Sequence, residues 1–116
     1  MSNVTVLSDF RVEKIARLND EFRLTCKGGR VVLTQGIASM RPDDQLLIVN
    51  KVRHFDDFSN DNDPWNEHDF GAFDYNGEKV FFKIDYYDPT FEMGSEDPAN
   101  PEKTARVLTI MRADEY

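Results

Sequence analysis

With 116 residues and a mass of 13.5 kDa, the chain has room for one ordinary domain and not for two. Its formal net charge is −8, and its single cysteine, Cys26, excludes both a disulfide framework and a cysteine-rich zinc site. No apolar run approaches the roughly 18 residues of a spanning helix, and the opening MSNVTVLSDF lacks the basic-then-apolar pattern of a secretory signal. The expectation is one cytoplasmic domain over residues 1–116, with residues 1–7 flexible.

In chain order, the first predicted element is a helix from about Ser8 to Thr25, where Val12, Ile15, Leu18 and Phe22 recur at three- and four-residue spacing. Ser8 is placed to cap its start, and Gly28-Gly29 to end it through a left-handed residue. Arg11, Lys14, Arg17 and Arg23 fall mostly off the apolar stripe and read as a solvated face. Arg30-Val31-Val32-Leu33-Thr34 follows as a short β-branched strand. Asp43 is a candidate cap for a short helix through Leu46, Leu47 and Ile48, and periodicity leaves helix and strand open between residues 43 and 55. Phe70 to Tyr75, Asn76-Gly77 and Lys79 to Tyr87 form a hairpin signature, because Asn-Gly tolerates the positive backbone angles of a type I′ turn. Val80, Phe82, Ile84 and Tyr86 alternate as its core face. Asp88 to Pro101 reads as an exposed loop, and Arg106 to Arg112 as the last strand. This order predicts an α+β domain with the N-terminal helix packed on a twisted antiparallel sheet of about four to five strands.

The charge is unevenly spread. Between Arg53 and Glu102 lie fourteen of the twenty-two acids and three of the fourteen bases, so this stretch is net −11 while the two ends together are +3. Phosphate binding needs clustered Lys and Arg, so nucleic acid is not expected as a direct ligand. An acidic stretch instead steers association with a basic protein partner, gathers a hard cation, or serves solubility alone.

The densest polar segment runs from Ser59 to Gly71. Asp61, Asp63, Glu67 and Asp69 offer oxygen ligands and His68 a nitrogen, but the spacing is not that of an EF-hand, and Trp65 and Asn66 stand where that motif needs a ligand and then glycine. Turn chemistry is the stronger reading, since Asn and Asp bond nearby backbone and Asp63-Pro64 fixes a turn without metal. The two histidines, His54 and His68, form no H-E-x-x-H pattern. Lys83, Asp85 and Tyr87 share one strand face, where Lys and carboxylate either serve chemistry or pair with each other or with Arg106 or Arg112. Cys26, at the predicted helix end, reads as packing. No enzymatic signature survives, and no cofactor is expected.

Leu18-Asn19-Asp20-Glu21-Phe22-Arg23, Gly28 to Thr34, Asn62-Asp63-Pro64 with Glu67-His68-Asp69-Phe70-Gly71, and Lys83 to Asp88 leading to Arg106-Val107-Leu108-Thr109-Ile110-Met111 occur together. This combination resembles an uncharacterised bacterial family, the domain of unknown function numbered 3768, from about Phe10 to Tyr116. One departure is Phe82, where members tend to carry Trp. The resemblance implies a small protein of plasmids and other mobile elements, a context that suits a DNA-mimic-like inhibitor of a restriction or CRISPR defence system.

The expected function is therefore a non-enzymatic binding protein that meets a basic partner surface, such as that of a nucleic-acid-binding defence enzyme. Asp56, Asp57, Asp61, Asp63, Trp65, Glu67, Asp69, Asp74, Asp85 and Asp88 are its candidate contact residues. The alternative is a metal-binding protein or metal-dependent hydrolase built on Asp61, Asp63, Glu67, His68 and Asp69. A homodimer through Phe91-Glu92-Met93 is a further possibility, and no membrane association is expected.

Overall fold

A computed structural model describes the backbone of residues 3–116 and the side chains from Phe10 onward. The segment expected to be flexible, residues 1–7, lies partly outside the described residues. Helix α1 spans Asn3–Thr25, β1 Gly29–Leu33, α2 Gln35–Ala38 and α3 Pro42–Arg53. Strands β2 (Phe70–Tyr75), β3 (Glu78–Tyr87) and β4 (Ala105–Arg112) follow, with single 3-10 turns at Pro101–Lys103 and Ala113–Glu115. The four strands form one sheet in the order β1-β4-β3-β2. The α+β expectation holds, with a refinement: β2, β3 and β4 are antiparallel neighbours, whereas β1 runs parallel to β4, so the sheet is mixed. That parallel pairing follows from the 71 residues between β1 and β4, which include α2, α3 and the whole hairpin; parallel strands require such a crossover.

The hairpin forms as its turn dictates. Asn76 and Gly77 take φ of 51° and 80°, and Phe73 pairs with Val80, Gly71 with Phe82. Val80, Phe82 and Ile84 are buried on one face with Leu108 and Ile110 of β4. Phe22 of α1, Ile37 of α2 and Ile48 and Val52 of α3 complete that cluster, so the helices cover a single face of the sheet. Gly71 permits this packing, because a Cβ there would fall 2.2 Å from the Phe82 ring and 2.8 Å from that of Phe55.

Four local readings change. Helix α1 begins at Asn3, which puts Ser8 inside the helix and not at its cap. The left-handed residue that ends it is Cys26 itself, at φ 58°, ahead of the glycines; its half-buried Sγ lies 3.7 Å from the Arg23 carbonyl oxygen. Arg23, assigned to a solvated face, is 2% exposed. Residues 43–53 are helix throughout, with Pro42 at the first position and Arg41 as the cap residue, so Asp43 lies in the first turn. Among the described residues no helix is long and apolar enough to cross a membrane.

Candidate functional site

Between α3 and β2 the chain runs for sixteen residues, from His54 to Asp69, without regular structure. It is nonetheless anchored. The Asp63 carboxylate, 3% exposed, accepts hydrogen bonds from the backbone N–H groups of Glu67 (3.0 Å) and His68 (3.1 Å). The Asn62 side chain closes the preceding turn, accepting from Ser59 N–H and donating to the Asp57 carbonyl. Asn66 and His68 both take left-handed conformations at φ 59°, a conformation that costs a non-glycine residue on the order of 1 kcal/mol or more and persists only where neighbours enforce it. For His68 those neighbours are on α1 and within the loop. His68 Nδ1 lies 3.0 Å from both carboxylate oxygens of Asp20, and its ring stacks on Phe58 with centroids 4.0 Å apart and planes 3° from parallel.

Asp20 also pairs with Arg23. The buried guanidinium of Arg23 donates to the carbonyls of Val52 and Phe55, each at 2.9 Å, and its carbon lies 5.1 Å and 5.4 Å from the ring centroids of Phe58 and Phe82. Burial pulls the Arg23 pKa down, opposed by the hydrogen bond and charge of Asp20. A buried cation that closes three carbonyl and carboxylate contacts fixes where α3 ends and the loop begins.

A second anchor lies beneath Glu67. Asn19 is fully buried and donates to the Glu67 carbonyl (2.9 Å) and to Tyr86 Oη (2.8 Å). Tyr86 Oη in turn donates to Glu67 Oε1 at 2.8 Å. Burial and the adjacent Glu67 carboxylate push the Tyr86 phenol well above its ordinary value, against the opposing pull of the Asn19 bond, which keeps it a protonated donor. Asp69 is also pushed up, by burial first and then by the charges of Glu67, Asp63 and Asp85.

The ten candidate contact residues therefore separate. Asp56, Asp57, Asp61 and Trp65 are exposed on this loop, Trp65 at 75%, and none forms a hydrogen bond or ion pair from its side chain among the described residues. Asp63 and Glu67 face inward as anchors, and Asp69 is half-buried. The other three belong to β2, β3 and the turn after β3 and are engaged locally. Asp74 on β2 pairs with Lys79 at 3.1 Å, Asp85 on β3 with Lys83 at 3.0 Å, and Asp88 accepts from Thr90 and Glu92 in its own turn. Lys83 and Asp85 thus pair with each other on the sheet face opposite the helices, which raises the Lys83 pKa through the Asp85 hydrogen bond. Of the metal candidates, Asp63 is committed to backbone N–H groups, Glu67 to Tyr86 and His68 to Asp20. Among the described residues no three His, Cys, Asp or Glu side chains group as a metal site.

Sequence reasoning missed the α1 half of this arrangement. Asn19, Asp20 and Arg23 bind the loop from 32 to 48 residues away in the chain. Their signal was present as a polar side chain at position 19 and a base at 23, both at helical spacing from buried Ile15. His54 and His68, unrelated by spacing, line one cleft of about 280 Å³ with Asp20, Arg23, Arg53 and Phe58. In the loop expected as a dimer contact, Phe91 lies under the Arg30 guanidinium, 3.8 Å from its ring centroid, while Met93 is 71% exposed.

The sequence model of a family described as a protein of unknown function, DUF3768, matches residues 33–115. Residues Leu18–Arg23 fall before that match, although their side chains hold its loop. No curated protein and no solved structure matches the chain.

Proposed function

The chain belongs to the DUF3768 family of proteins of unknown function, and we propose that it is a non-enzymatic binding protein whose loop 54–69 docks on a basic surface of a partner protein. The observation that carries this reading is Trp65. It is the only tryptophan of the chain, it stands 75% exposed, and the loop that carries it is anchored on both sides. An aromatic side chain presented by a pre-ordered loop binds with little loss of conformational entropy and is the commonest kind of interface anchor. Exposed Asp56, Asp57 and Asp61 on the same loop supply charge for a basic counterpart and speed its approach.

The finer reading is that the basic counterpart is the nucleic-acid groove of a restriction or CRISPR enzyme in the cytoplasm, met by a bacterial protein encoded on a plasmid or other mobile element. The net −11 of residues 53–102 supports it, because a groove that attracts phosphates also attracts clustered carboxylates. Affinity purification from the host, repeated with Trp65→Ala and with Asp56, Asp57 and Asp61 all changed to Lys, tests both levels. We expect one protein with a basic surface to be retained by the parent chain and lost by both folded variants. Equal retention by the variants contradicts the proposal, and a retained partner without a nucleic-acid groove contradicts the finer reading alone.

A further inference from the structure

We infer that Asn19 is a positioning residue that joins the docking loop to a second loop, the turn around Pro98, so that the two move as one unit. The amide of Asn19 has one possible orientation. Arg106 Nε can only donate, so it must face Asn19 Oδ1, where it lies at 2.7 Å. The Glu67 carbonyl can only accept, so it must face Nδ2. Both Nδ2 protons are used, one on Glu67 O and one on Tyr86 Oη. No other side chain of this size supplies two donors and an acceptor in that arrangement.

Arg106 carries the connection onward. It is 5% exposed, stands 5.3 Å from the Tyr86 ring centroid, and has no carboxylate within 4.0 Å among the described residues. Its Nη2 donates to the Pro98 carbonyl at 2.7 Å. The adjacent turn is tied in the same direction: Asp97 accepts from Ala99 N–H, and Thr104 Oγ1 donates to the Asp97 carbonyl at 2.9 Å. Two loops 30 residues apart thus meet through one amide and one guanidinium, and Arg106 makes no hydrogen bond of its own to the docking loop. A partner seated on Trp65 is then felt at Ala99 and Asn100, by the reciprocity that links coupled equilibria.

The name docking loop rests on the function proposed above, but the test uses the free protein, so its failure and failure of partner capture are separate results. The measurement is residue-resolved amide hydrogen exchange, reading Glu67 and His68 for one loop, Ala99 and Asn100 for the other, and Phe81 and Phe82, in the strand paired on both sides, for the whole fold. Asn19→Asp removes both donors while giving Arg106 a carboxylate. It should speed exchange at Glu67 and His68 by about tenfold or more and leave Ala99 and Asn100 as they were. Arg106→Met leaves Asn19 Oδ1 without its donor and should speed both pairs, with Phe81 and Phe82 unchanged. Ile110→Val, which loosens the core without touching Asn19, should raise all three sets together. Acceleration confined to Ala99 and Asn100 in Arg106→Met, or uniform acceleration in Asn19→Asp, overturns the inference. Should neither variant fold, the parent chain in rising urea decides: a single unit requires both pairs to open with the same free energy and the same denaturant slope, and two distinct openings overturn it.

Discussion

Asp69 and Glu115 are two carboxylates that this fold treats in opposite ways. Asp69 is half-buried beside Glu67, Asp63 and Asp85, and its pKa is raised above the ordinary 3.8, by burial first. The folded state therefore binds its proton more tightly than the unfolded chain does. As pH rises through the interval above 3.8, ionisation of Asp69 removes stability. Asp69→Asn should raise the urea midpoint at pH 7, and the gain should vanish as pH falls below 3.8; a lowered midpoint at pH 7 would contradict this. Glu115 accepts from Arg112 N–H, Thr34 Oγ1 and Gly36 N–H, and its pKa is depressed below 4.5, by the Arg112 bond first. Its stabilisation is complete above 4.5 and lost as pH falls through the depressed value. Glu115→Gln should lower the midpoint at pH 7 and match the parent in acid, the reverse of Asp69→Asn. Neither role was legible from sequence. A carboxylate two residues from Glu67 and one 81 residues from Thr34 look alike until the chain is folded.

The elements were legible where local chemistry decides and obscure where packing decides. Asn76-Gly77 specified its hairpin because few dipeptides accept two positive φ angles. Gly77→Ala forces a Cβ into φ 80°, with nothing within 4 Å to clash, so the whole cost is backbone strain. A loss of about 1–2 kcal/mol in urea unfolding is expected, and a variant as stable as the parent would show that the turn has shifted. Helix α1 was found from its stripe, but its true buried face includes Asn19 and Arg23. Those residues are polar because they meet the Phe55 and Glu67 carbonyls of the loop, which take no backbone donor among the described residues. Periodicity of apolar residues cannot register a face that is buried for its hydrogen bonds. The four-residue helix α2 and the parallel edge β1 likewise depend on contacts with β4, Glu115 and Ile110 that lie 76 to 81 residues ahead.

For the molecule as a whole, the uneven charge acquires an arrangement. The acidic middle of the chain supplies the loop 54–69, β2, β3 and the turn around Pro98, while α1 and β4 supply the cations Arg23 and Arg106 that hold those parts down. Some carboxylates of the −11 stretch are therefore internal anchors or local ion pairs, and Asp56, Asp57 and Asp61 are exposed on the loop that carries Trp65. On the function proposed above, these three charges and one indole make the contact. The most direct measurement is the affinity of the captured partner for the parent chain and for the Asp56→Lys, Asp57→Lys, Asp61→Lys variant, taken across salt. Parent binding should weaken steeply as salt rises, because the attraction is between exposed charges. The variant should bind at least about 30-fold more weakly at low salt, a hot-spot-sized loss, with most of its salt dependence gone. A folded variant with the parent's affinity and the parent's salt dependence would contradict it.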